Sequence, residues 1–108
     1  MTTQTIDQEI QSVTQKIVEK YRPEKIILFG SAAWGKFTPG FDLDFLIVKK
    51  GVDHLRRNER YYQVSRLLSH NVAMDILVYT PYEIKKRLYL EDPFIRKVIN
   101  EGKVIYGS

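Results

Sequence analysis

The sequence contains no cysteine. That excludes disulfides and thiolate metal sites, and it favours a cytoplasmic setting. Histidine is nearly absent as well. His54 and His70 lack partners at metal-ligand spacing, and both read as surface or helix-end residues. No apolar run approaches the ~20 residues needed to span a bilayer, and the polar N-terminus does not read as a signal peptide. There is no internal repeat, low-complexity tract, linker or obvious second domain. The expectation is therefore one domain over residues 1–108, large enough for its own core. Neither sign of charge dominates: 17 Lys and Arg against 13 Asp and Glu leave +4. That balance suits polyanionic ligands but is too mild to demand nucleic acid.

What is present is ordinary for a globular chain, with 44% apolar and 28% charged residues. Ile6, Ile10, Val13, Ile17 and Tyr21 fall on one helical stripe, expected to pack the core. Thr5 with Gln8 resembles a capping box, and Pro23 stops the helix. A first strand is expected over about Lys25 to Phe29, then a Gly30-Ser31 turn and a short helical piece through Trp34. Residues 35–41 read as a loop, with Phe37 and Phe41 packing it or flanking a base. A second strand runs from Asp42 to Val48. A helix is expected from His54 to His70, with Tyr61, Val64, Leu67 and Leu68 inward and Arg56, Arg57, Arg60 and Arg66 on a solvated face. One ring of Tyr61-Tyr62 is assigned to the core.

Val72 to Tyr79 forms the third expected strand. Thr80-Pro81-Tyr82-Glu83 is a helix start, with a cap, a proline at the first position and a glutamate at the third. Asp92-Pro93 starts another, with Phe94, Ile95, Val98 and Ile99 as core and Gly102 as stop. Val104-Ile105-Tyr106 closes the chain as a short strand. The order implies an α/β (α+β) arrangement, with helices packed against one mixed sheet of about four strands.

The feature that needs a reason is a pair of acids heading an apolar strand. Asp42 and Asp44 stand at i and i+2, so a strand points both to one side while Leu43 and Phe45 enter the other layer. Acids in such company are costly unless they are paired or hold a cation. Two hard oxygen donors suit Mg²⁺, which is usually held by one or two carboxylates plus substrate phosphates. Gly30 allows close backbone approach, and Ser31 adds a hydroxyl and an N–H where phosphate is favoured. Asp75 is a third acid, alone among apolar neighbours in its strand. Alone, it would read as a salt-bridged or edge-strand residue.

Gly30-Ser31, then Asp42-Leu43-Asp44, then Asp75 within Val72-Ala73-Met74-Asp75-Ile76-Leu77-Val78-Tyr79 resembles the nucleotidyltransferase superfamily that includes DNA polymerase beta. At this length the likeness is greatest to the minimal nucleotidyltransferases, small prokaryotic proteins often encoded beside a HEPN partner. The resemblance implies the polymerase-beta-like fold and Asp42, Asp44 and Asp75 as catalytic and metal-binding residues. It implies two Mg²⁺ ions, ATP or another nucleoside triphosphate as substrate, and Gly30 and Ser31 on its terminal phosphates. It further implies AMP transfer to a hydroxyl, with a HEPN-domain toxin as partner and this chain as its antitoxin.

One departure stands out: the family commonly carries basic residues in the turn, and here Ala32 and Trp34 occupy those places. Lys36 is the cation expected to stand in. Two other readings remain at this point. One is an antitoxin that neutralises its partner by contact alone. The other is an RNA-binding module using the arginine-rich helix.

Overall fold

The computed structural model describes residues 3–33, 42–68 and 73–107, with side chains from Ile6 onward. Trp34, Lys36, Phe37 and Phe41 lie outside the described residues, as do His70 and Val72. The described elements are α1 (Thr3–Tyr21), β1 (Lys25–Phe29), β2 (Leu43–Val48), α2 (Arg57–Ser65), β3 (Met74–Tyr79), α3 (Pro81–Tyr89), α4 (Pro93–Glu101) and β4 (Lys103–Tyr106). The strands form one mixed sheet in the order β3-β2-β1-β4. β1 lies antiparallel to β2 and to β4, while β2 and β3 run parallel. Parallel neighbours need a crossover, and α2 supplies it.

The central strands are apolar because both of their faces are covered. On one face Ile26, Leu28, Leu43, Phe45, Ile47, Ile76 and Val78 pack with Ile6, Val13 and Ile17 of α1 and Val64 of α2. On the other, Ile27, Phe29, Leu46, Val48 and Tyr79 meet Ile95 and Val98 of α4, with Ile84 of α3 alongside. The α1 stripe is thus core, as its spacing predicts, with Ile10 and Tyr21 at its margin.

Several boundaries move. α1 starts at Thr3, so Thr5 lies inside the helix and is not its cap. β2 starts at Leu43, leaving Asp42 just ahead of it. α2 is much shorter than its apolar spacing implies. It starts after Arg56, whose N–H donates to Glu59 Oε1 at 3.1 Å. It ends where Leu67 and Leu68 bond back three residues, to Val64 O and Ser65 O.

The largest correction concerns Arg60, assigned to a solvated face and in fact only 4% exposed. Its Nε donates to Leu55 O, and its Nη1 to Val78 O on β3. Both Nη atoms reach Glu83, at 2.7 and 3.2 Å. Glu83 Oε1 also accepts the Thr80 N–H, while Thr80 Oγ1 accepts the Glu83 N–H, which completes the capping box read at the start of α3. One carboxylate therefore caps α3 and holds α2 against the edge of β3. Tyr61 is exposed with Tyr62, the two rings meeting edge-on at 5.7 Å. Phe94 and Ile99 are exposed too, leaving Ile95 and Val98 as the buried residues of α4.

Candidate active site

The sheet register brings the acids together. Asp44 pairs with Asp75 across the parallel β2–β3 ladder, and with Phe29 across the antiparallel β1–β2 ladder. Neighbouring strands lie about 4.8 Å apart, so paired residues of adjacent strands project side by side. By alternation Asp44 shares its face with Leu46, and Asp75 shares its face with Leu77. This is the α4 side of the sheet. Asp44 is half-buried, while Asp42 and Asp75 are exposed. Among the described residues β3 is an edge strand of the sheet.

Electrostatics single out Asp44. Burial, then the charge of Asp75, then that of Asp42 push its carboxyl up to about 6. A like-charged cluster with partial desolvation disfavours the ionised form. Among the described residues, no ion pair or hydrogen bond to Asp42, Asp44 or Asp75 offsets this. Asp42, although outside the strand, is close enough for Asp44 to feel its charge.

Gly30 follows β1 with φ +75, and a Cβ there would collide with Asp44 Oδ2. Glycine is thus required twice, for the left-handed backbone and for the space the carboxylate occupies. The turn continues through Ser31, with Ala33 N donating to Gly30 O at 3.1 Å. Gly30, Ser31, Asp44 and Asp75 therefore gather at one end of the sheet. Lys36, the expected stand-in cation, lies outside the described residues.

Among the described residues, no three or more acids or histidines stand close enough to hold a metal ion unaided. The donor set nevertheless fits a hard divalent cation. It offers carboxylate oxygens with no countercharge among the described residues, two of them on exposed side chains, where substrate phosphates can complete the coordination.

Bordering the acids is a feature that the sequence does not signal. Phe29, opposite Asp44, packs edge-on against Phe94 of α4, with ring centroids 5.6 Å apart at 83°. Phe94 stands next to the α4 cap, where Asp92 Oδ1 accepts the N–H groups of Phe94 and Ile95. Its apolar character suggests core, yet Ile95 and Val98 take the inward positions.

The family model for the nucleotidyltransferase domain matches residues 10–106, and the chain belongs to this family. A crystal structure of a provisionally assigned nucleotidyltransferase from Sulfolobus solfataricus is similar, at 27% identity and a TM-score of 0.63. The match covers 94% of this chain and 86% of that one. Among curated proteins none matches. The architecture is therefore the polymerase-beta-like nucleotidyltransferase fold, in a family that generally uses nucleoside triphosphates and divalent metals.

Proposed function

We propose that this chain transfers a nucleoside monophosphate, AMP from ATP, to a hydroxyl acceptor. The observation that carries this reading is the Asp44–Asp75 pairing, two carboxylates in register on one sheet face beside Gly30, with no countercharge among the described residues. In a structural sheet, like charges directly opposite are destabilising. Their retention makes sense when a cationic ligand is part of the working state.

Asp42 and Asp44 would hold divalent metal together with the triphosphate, and Asp75 would face the incoming hydroxyl. A divalent ion, when bound, neutralises phosphate charge and lowers the pKa of a coordinated hydroxyl. Gly30 and Ser31 would cradle the terminal phosphates through backbone N–H groups and the Ser31 hydroxyl. The acceptor oxygen forms a bond to the α-phosphorus as the bond to the β-phosphate oxygen breaks, and pyrophosphate leaves. Asp75 is the group placed to take the hydroxyl proton or to orient the oxygen that loses it.

The acceptor we favour is a hydroxyl on a HEPN-domain toxin, with this chain as antitoxin. Its support is the motif resemblance. The RNA-binding alternative loses ground because Arg60, one of the four arginines behind it, is buried in an ion pair with Glu83. The test is incubation with the product of its genomic neighbour, Mg²⁺ and each nucleoside triphosphate, followed by intact mass of both proteins. A single adduct of AMP mass on the partner is expected with ATP. Neutralisation of the partner without any adduct, surviving Asp42→Asn with Asp44→Asn, would establish contact inhibition instead.

A further inference from the structure

We propose that Phe94 is the face on which the nucleobase of the substrate stacks. This inference rests on the nucleotide-transfer reading and assigns that site a base-binding residue. Asp44 and Phe29 are register partners on one face, about 5 Å apart at the backbone. The ring of Phe94 lies 5.6 Å from that of Phe29, centroid to centroid. Phe29 thus links Phe94 to Asp44, which places an aromatic face on the same side of the sheet as the acids.

Phe94 is held as a platform should be. Pro93 and the Asp92 cap fix the first turn of α4, while Ile95 and Val98 anchor that helix in the core. Phe29 is buried and supports the Phe94 ring edge-on, yet Phe94 remains 42% exposed. An isolated exposed aromatic needs no explanation. This one packs on Phe29, the register partner of a half-buried carboxylate whose charge the described residues leave unbalanced. Tyr82 and Tyr89 are more exposed, at 68% and 85%. They belong to α3, which has no buried residue and no register link to the acids.

Stacking on a single ring accepts every base, because each has a π-face. Phe94 would therefore supply affinity for the nucleoside without reading its hydrogen-bonding edge, with larger purines favoured by contact area.

Isothermal titration of ATP, CTP and inorganic tripolyphosphate, each with Mg²⁺, tests this on the native chain, Phe94→Ala and Phe94→Trp. The expected result is ATP and CTP binding weakened about tenfold or more in Phe94→Ala, with tripolyphosphate binding unchanged. Phe94→Trp should bind ATP at least as tightly as the native chain. Parallel thermal melts establish that each variant is folded. Native-like ATP affinity in Phe94→Ala would overturn the inference. So would equal losses for ATP and tripolyphosphate, or a native chain that binds tripolyphosphate as tightly as ATP. A native chain that binds no nucleoside triphosphate would overturn the transfer reading itself, and the inference with it.

Discussion

At the scale of single residues, Gly30 and Asp44 are one device. A carboxylate can lie against the end of β1 only because Gly30 has no Cβ, and the φ of +75 suits no other residue well. Gly30→Ala is expected to lower stability by about 1–3 kcal/mol, read by denaturant unfolding, and to displace Asp44 enough to impair metal-dependent nucleotide binding. Native-like unfolding and binding would contradict the close approach.

Asp44 also carries a pH signature. Its folded-state pKa of about 6 lies above the ordinary 3.8. Below about pH 4 both folded and unfolded chains hold the proton, and the group makes no difference. As pH rises to about 6 the unfolded chain releases it first, so the ionised carboxylate penalises the fold, fully so above 6. Asp44→Asn should gain stability relative to the native chain across that window and hold a constant difference above it. About 2 kcal/mol is the expected gain, after discounting for solvent screening of a half-buried group. Paired urea titrations from pH 4 to 8 without metal measure it, and a flat difference would contradict the assignment.

These residues were legible in sequence because the signals are local: a glycine ending an apolar run, and acids at i and i+2 on a strand. The family resemblance implies that the acids gather on one sheet face, but the residue-to-residue pairing of Asp44 with Asp75 was not legible, because it depends on the register of strands separated by a crossover helix. Trp34 and Lys36, on which the phosphate grip was expected to turn, lie outside the described residues.

At the scale of elements, Arg60 and Glu83 join three of them. Arg60 donates to β3 through Val78 O, while Glu83 caps α3 and accepts from both Nη atoms of the guanidinium. The guanidinium thus occupies an acceptor that the edge of β3 would otherwise leave unpaired. Arg60→Ala strands that carbonyl and leaves Glu83 without its cation. A loss of about 3 kcal/mol or more is expected by chemical denaturation. The Arg60 hydrogen bond leads the causes that lower the Glu83 pKa. This pair therefore contributes stability above the ordinary value of 4.5, and loses it as pH falls through the lower folded value. In Arg60→Ala that acid-side loss should shrink. Periodicity concealed the role, since a charged residue in an arginine-rich helix defaults to the solvent face. The available signal was its spacing: Arg60 stands four residues before the buried Val64, on the inward side of α2.

At the scale of the whole molecule, the sheet separates two tasks. The face under α1 and α2 is continuous apolar core, whereas the α4 face trades packing for acids where β1 ends and β2 and β3 begin. Element order and sheet class were readable because hydrophobic period and caps are written locally. The boundaries of α2 and the exposure of Phe94 were set by tertiary packing. The central claim is that this acidic end of the sheet is a divalent-cation site for a nucleoside triphosphate. Calorimetric titration of ATP with Mg²⁺, on the native chain and on Asp42→Asn with Asp44→Asn, tests it most directly. The native chain should bind ATP saturably only when Mg²⁺ is present, and more weakly below about pH 6 as protons compete for Asp44. The double variant, folded and no less stable than the native chain without metal, should show no such binding. Equal Mg²⁺-dependent ATP affinity in the two would contradict the account.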